Sequence, residues 1–129
     1  MCKRKRSRPP DGGAATYDDG KPPLELLPPD VLLEIAKVHA HGKHKYGHEK
    51  GGSRNWERGM SWTRQIGCAK RHIEYWLLGQ DHDPESRLRH LAHAAWRIHA
   101  VLAYELRGIG EDDRHKLPEW MDKDEPKDL

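Results

Sequence analysis

Residues 83–108, DPESRLRHLAHAAWRIHAVLAYELRG, are the stretch that decides the fold. Its apolar residues recur at alternating spacings of three and four, which is typical of a helix that packs lengthwise against other helices. This apolar stripe consists of Leu88, Leu91, Ala95, Ile98 and Leu102. The tripeptide Asp-Pro-Glu at 83–85 predicts the start of the helix, and Gly108 or Gly110 predicts its end. We therefore predict a long helix whose apolar stripe faces its neighbours.

Two further helices are predicted upstream of this stretch. The first begins at the N-cap Asp30 and ends at Gly42, and the second begins at Ser61 or Thr63 and ends at Gly79. Apolar residues at helical spacing support the second helix, namely Trp62, Ile66, Ala69, Ile73, Trp76 and Leu77. Because no segment alternates as a strand does, the sequence predicts an all-α helical bundle.

Composition indicates that the ordered part of the chain is small and carries a thin core. Charged residues make up 34% of the 129 residues and phenylalanine is absent, so a lone monomer would be marginally stable and a homo-oligomer is expected. We predict a basic flexible arm at 1–23, the helical domain at 24–114 and an acidic tail at 115–129. With two distant cysteines and no long apolar run, the chain is expected in the cytoplasm, away from membranes.

Histidines and carboxylates beside the predicted apolar stripes point to a metal site. His90 and His93 share one face of the third helix, and His72 on the second helix and Glu34 on the first also border the apolar residues. The candidate metal ligands are therefore Glu34, His72, Asp83, Glu85, His90 and His93, of which Glu34, Asp83 and His90 are also candidate catalytic residues. Carboxylates combined with imidazoles suit Mg²⁺ or Mn²⁺, with two or more ions expected. The competing interpretation is that these histidines are structural.

The long segment 42–60 could bind a nucleotide, since loops of this length are usually functional or disordered. Its cations could neutralise phosphates, its aromatic rings could stack on a base, and asparagine could bind a base edge. The candidate substrate-binding residues are Lys43, Lys45, Tyr46, Asn55 and Trp56, with Arg71 on the second helix. The alternative is a solvated basic loop with Trp56 packed into the core.

Several motifs, taken together in order, resemble the phage dATP/dGTP diphosphohydrolases, the MazZ-type branch of the all-α MazG/HisE-like pyrophosphatases. The motifs are LLPPDVLLEIAKV at 26–38, KYG at 45–47, NWERGMSW at 55–62, AKRHIEYWLLGQDHDPES at 69–86, HLAHAA at 90–95 and YELRGIGEDDR at 104–114. The resemblance implies a MazG-like helical bundle that forms dimers or tetramers. It also implies metal-dependent cleavage of a purine deoxynucleoside triphosphate into a monophosphate and pyrophosphate.

Some positions depart from the pattern of the families that the chain resembles. The MazG motifs EExxE and ExxD are absent, and the stretches around His72 and at 90–93 stand in their places. Arg87 and Arg97 occupy positions where this branch usually has glycine and asparagine, and residues 48–54 lengthen the predicted substrate loop.

We expect hydrolysis of dGTP, dATP or both, in nucleotide-pool remodelling for diaminopurine DNA and in the host cytoplasm if the chain is phage-encoded. The alternative is an accessory protein that binds nucleic acid through the basic arm and the loop.

Overall fold

The structure is a computed structural model that describes residues 13–17, 19–46 and 52–121. It contains three α-helices, which are α1 (Pro29–Tyr46), α2 (Trp62–Leu77) and α3 (His90–Arg107). Short 3-10 helices at Leu24–Leu26 and Gly52–Arg58 precede α1 and α2. The described residues form isolated bridges but no β-strand, so the predicted all-α fold is confirmed. None of the described helices is long and apolar enough to cross a membrane.

The core lies where α2 and α1 pack on α3, and α1 also packs on the second 3-10 helix. Its buried apolar side chains are small apart from Tyr104; they are Val38, Ala69, Ala92, Ala94 and Ala100. Three polar side chains, Gln65, His90 and His93, are buried among them. Alanines allow the helices to approach closely, so the polar groups on their facing sides come within bonding distance.

Two predicted helix ends are wrong. The first helix does not stop at Gly42 but continues to Tyr46. The third helix begins at His90, because residues 83–86 form a separate turn and Arg87 adopts a φ of 62° that interrupts any helix. Asp83 does accept a hydrogen bond from the Ser86 backbone N–H, at 2.8 Å, but it caps this turn and not α3.

The segment between α2 and α3 folds back on itself as a short pinned loop. The Asp83 N–H donates to the Leu88 carbonyl at 2.8 Å, and the His90 N–H donates to the Asp81 carbonyl at 3.0 Å. These bonds fix where α3 begins and hold Asp83 beside its first turn.

The predicted orientation of α3 is also wrong for most of its length. Leu91, Ile98 and Leu102 of the apolar stripe are 47%, 48% and 52% exposed. The buried face instead carries His90, His93 and Tyr104, with alanines between them. This arrangement is possible because the buried polar groups have hydrogen-bond partners: among the described residues, no buried side-chain nitrogen or oxygen lacks one.

The N-terminus of α2 is held by the segment that follows α3. The Trp62 N–H donates to the Glu111 carbonyl at 2.9 Å, and the Trp62 indole donates to the Ile109 carbonyl at 2.9 Å. Asp113 accepts bonds from the Thr63 N–H and hydroxyl at 3.0 Å and 2.6 Å, which makes it the N-terminal cap of α2 from outside the helix.

Candidate functional site

A cavity of about 350 Å³ lies among the three helices and the second 3-10 helix. Its wall combines imidazoles, carboxylates, cations and aromatic rings. Residues from α1, α2 and α3 all contribute, including His41, His72 and His93. A pocket with convergent polar groups and an aromatic wall is the usual form of a small-molecule site.

Within the described residues, one group of side chains could hold a metal ion: His72, Asp83 and His90, each with one ligand atom within 4.8 Å of the others. The Nδ1 atoms of His72 and His90 face each other at 2.9 Å. His90 Nε2 lies 2.7 Å from the Gln80 side-chain oxygen, an acceptor, so this nitrogen carries the proton and His90 Nδ1 presents a lone pair. At 2.9 Å the two nitrogens share a hydrogen bond in which His72 Nδ1 is the donor. Without that proton, the two imidazoles and the Asp83 carboxylate are a donor set that fits a divalent metal.

Asp83 is kept ionised beside these imidazoles. Burial alone would raise the pKa of its carboxyl, but hydrogen bonds from Ser86 and the nearby His93 and His72 hold the pKa below its ordinary value. The carboxylate is therefore negative at neutral pH and able to offset the charge of a bound cation.

His93 supports this group from α3. Its ring stacks on His72 with centroids 4.5 Å apart and planes 5° from parallel. The Ser86 hydroxyl accepts from the Leu88 N–H at 3.2 Å and is hydrogen-bonded to His93 Nε2 at 2.6 Å. Burial, followed by the charge of His72, lowers the pKa of His93 to about 4, so the ring is neutral at neutral pH. Burial also lowers the pKa of His72.

Other predicted metal ligands lie apart from this group. Glu34 does not line the cavity; its carboxylate binds Lys37 at 2.6 Å. Glu85 lines the cavity but binds Lys45 at 2.9 Å, and both side chains are largely exposed. Their assignments as ligands stay predictions.

Four of the six predicted substrate-binding residues line the cavity, namely Asn55, Trp56, Lys45 and Arg71. The side chains of Lys43 and Tyr46 lie outside the described residues. Trp56 packs edge-on against Trp96, with centroids 6.0 Å apart, so it belongs to the aromatic packing and to the cavity wall together.

The sequence interpretation missed Gln65, which is fully buried and links α2 to α3. Its side-chain oxygen accepts from Arg97 Nη1 at 2.7 Å, and its side-chain nitrogen donates to the Tyr104 hydroxyl at 3.1 Å. Tyr104 in turn donates to the Trp56 carbonyl at 2.5 Å. The available signal was spacing, since Gln65 precedes Ala69 and His72 by four and seven residues and so shares their helix face.

Comparisons with known proteins agree with the motifs described above. A dATP/dGTP diphosphohydrolase of Salmonella phage PMBT28 is 40% identical over 79 residues, which are 61% of this chain and 25% of that relative. The chain thus spans about a quarter of the length of the curated relative that it matches. No solved structure matches significantly. The family model described as dATP/dGTP diphosphohydrolase, N-terminal, matches residues 11–114, and the chain therefore belongs to this family.

Proposed function

We propose that this chain hydrolyses purine deoxynucleoside triphosphates, dGTP, dATP or both, to the monophosphate and pyrophosphate with Mg²⁺ or Mn²⁺. One observation carries the proposal: two of the three candidate metal ligands, three cations and an aromatic wall border one cavity, where His72, Arg71 and Trp56 represent the three kinds of group. The phage relative's name supports the substrate class. In a phage, this reaction would serve the remodelling of the purine pool for diaminopurine DNA.

The residues that would hold the metal are His72, Asp83 and His90. A divalent ion there supplies charge neutralisation of phosphate oxygens and an activated water. The Gln80 side-chain oxygen keeps the proton of His90 on Nε2, which leaves Nδ1 as the donor atom. The Ser86 N–H donates to Oδ2 of Asp83. The other carboxylate oxygen, Oδ1, would bind a cation or accept a proton from the attacking water.

Two cations of the cavity, Arg71 and Lys45, would bind the polyphosphate. Arg71 has no carboxylate partner among the described residues; its Nη2 donates to Cys68 Sγ at 3.0 Å. Lys45 and Glu85 form an exposed pair, which contributes little stability and can open at small cost. Asn55 and Trp56 would bind the purine at the aromatic wall. Catalysis would then be mostly positioning and charge neutralisation.

The decisive experiment is chromatography of the products from a panel of dNTPs and NTPs with Mn²⁺ or Mg²⁺. We expect dGMP or dAMP together with pyrophosphate. Asp83→Asn keeps the shape of the side chain but removes its charge, and we expect it and His90→Ala to lower Mn²⁺ affinity and turnover together, by roughly 10- to 100-fold. His99→Ala changes an exposed histidine of α3 outside the cavity and serves as the matched control. A diphosphate product with orthophosphate, or unchanged Mn²⁺ dependence in both site variants, contradicts the proposal.

The alternative of a nucleic-acid-binding accessory protein depends on the basic arm, of which residues 1–12 and 18 lie outside the described residues. A chain that begins at Lys21 separates the two functions. Retained turnover with loss of salt-sensitive DNA binding assigns the arm to nucleic acid, whereas loss of turnover in a folded protein assigns it to the active site.

We also propose that copies of the chain associate as dimers or tetramers. The exposed apolar residues of α3, Leu91, Ile98 and Leu102, support this, because single-chain proteins seldom expose a contiguous apolar face. Light scattering at micromolar concentration checks it, and a monomer contradicts it.

A further inference from the structure

Arg97 is a cation in the cavity wall to which the proposed mechanism gives no role. It projects from α3, lies half-buried at the cavity, and forms no ion pair within the described part of the chain. Arg107 and Arg114, by contrast, bind the carboxylates of Glu57 and Asp112. A guanidinium removed from bulk water without a counter-charge is unfavourable unless an anion binds it.

Arg97 lines the cavity, and its guanidinium lies 5.5 Å from the centroid of the Trp96 ring. Its protein hydrogen bond uses Nη1, which donates to Gln65 at 2.7 Å. Since no fully buried side-chain nitrogen among the described residues lacks a partner, the other guanidinium nitrogens are reached by solvent. An arginine fork with free N–H groups matches phosphate oxygens in pairs.

The orientation of Gln65 is fixed by a directional chain of hydrogen bonds. The Trp56 carbonyl can only accept, so the Tyr104 hydroxyl donates its one proton there. Tyr104 must then accept from the Gln65 nitrogen, which turns the Gln65 oxygen toward Arg97. Gln65 and Tyr104 are both completely buried, so water does not compete for these bonds. The same network therefore connects the aromatic wall at Trp56 with the cation at Arg97.

We propose that Arg97 binds a phosphate group of the ligand deep in the cavity, and that Gln65 is the positioning residue that aims its guanidinium there. The identification of the anion as phosphate rests on the proposed function. The neighbouring groups favour it, because Arg71 borders the same cavity and a phosphate chain could contact both arginines while it offsets the charge of a bound cation. The positive charge of Arg97 also reaches His72 and His93, where it adds to burial and to neighbouring imidazoles in lowering the pKa of each ring.

Calorimetric titration with inorganic pyrophosphate in metal-free, low-salt buffer tests the proposal without requiring hydrolysis. Arg97→Gln should weaken binding by roughly 10- to 100-fold, the range for loss of a charge-assisted hydrogen-bonded pair. Gln65→Glu should also weaken binding, because the new carboxylate neutralises Arg97; circular dichroism checks that this variant is folded. Arg64→Gln removes an exposed charge from α2 outside the cavity and should bind as the wild type does.

A wild-type protein that does not bind pyrophosphate, or Arg97→Gln binding within about twofold of it, overturns the inference. Tyr104→Phe provides a second check on positioning, since it should raise the KM for dGTP through the displaced Gln65, whereas an unchanged KM contradicts that role. Dependence on Arg97 without dNTP turnover leaves the inference standing and removes the proposed function. If Arg97→Gln hydrolyses dNTPs with an unchanged KM, the proposed function stands and the inference about Arg97 is wrong.

Discussion

Acidifying the metal-free protein should destabilise it through His93, because burial and the charge of His72 lower the pKa of this imidazole from 6.5 to about 4. In the unfolded chain the ring binds a proton as the pH falls through 6.5, whereas in the folded protein it stays neutral until about pH 4. The stabilisation is therefore fully present above pH 6.5 and is lost progressively as the pH falls toward about 4. Since one pKa unit corresponds to about 1.4 kcal/mol, the whole window corresponds to about 3 kcal/mol.

Burial is the largest cause of the lowered pKa of His93, and the charged and titratable groups that face the ring adjust the size of the shift. His72 and His41, and then Arg97, disfavour a second positive charge, whereas Asp83 favours one and reduces the shift. The pKa of His72 is also lowered, so its loss of stability has the same sign. Asp83 titrates below its ordinary value of 3.8 and contributes little within the window.

Urea denaturation with a chelator, repeated between about pH 7.5 and pH 4.5, measures the free energy of unfolding. The wild type should lose stability across this range. His93→Gln should flatten the plot of unfolding free energy against pH, because it removes the group whose pKa is lowered to about 4. His99→Gln removes an exposed histidine from the same helix and should keep the wild-type slope. Equal slopes in all three proteins would refute the burial argument. Addition of Mn²⁺ should increase the free energy of unfolding most near neutral pH, because protons and metal compete for the imidazoles.

Two further predictions concern the ends of the helices and are checked by chemical denaturation. Asp113→Ala should lower the denaturation midpoint through loss of the cap on Thr63, whereas Asp112→Ala, which breaks an exposed pair with Arg114, should leave the midpoint near that of the wild type. Gly110→Ala should destabilise more than Gly108→Ala: both glycines have positive φ, at 77° and 64°, but a Cβ at Gly110 would lie 2.5 Å from the Met60 carbonyl oxygen and one at Gly108 would meet nothing. Equal losses within either pair would contradict the assigned contacts.

The sequence predicts where α2 begins and where α2 and α3 end, because those signals are local. Gly79 and Gly108 end their helices with φ of 99° and 64°, a conformation that glycine adopts without strain. The start of α3 could not be predicted, since Asp-Pro-Glu suits a turn as well as a helix N-terminus. The hydrogen bonds that join Asp83 to Leu88 and His90 to Asp81 decide between them, and they form around Arg87, whose positive φ the sequence does not signal.

The faces of α3 illustrate a second limit. Periodicity shows that the helix has a polar side and an apolar side. It does not show which of the two sides packs against α1 and α2. The sequence does indicate that His72, His90 and His93 border the core, because their positions on α2 and α3 are regular, whereas Asp83 lies in the loop before α3. It does not predict that Glu34 binds Lys37, or that Gln65 binds Arg97, which lies 32 residues further along the chain.

The inverted polarity of α3 links the cavity to the outer surface of the helix. On the inner side, His90, His93 and Tyr104 replace the apolar contacts that a core would otherwise use, so stability depends on their hydrogen bonds, and a ligand bound there would add to it. On the outer side, Leu91, Ile98 and Leu102 remain exposed until another surface covers them. Because both sets of side chains project from one helix, association at the proposed outer interface would couple to binding at the inner site. By linkage, a ligand in the cavity should then strengthen association by the same factor as association strengthens ligand binding.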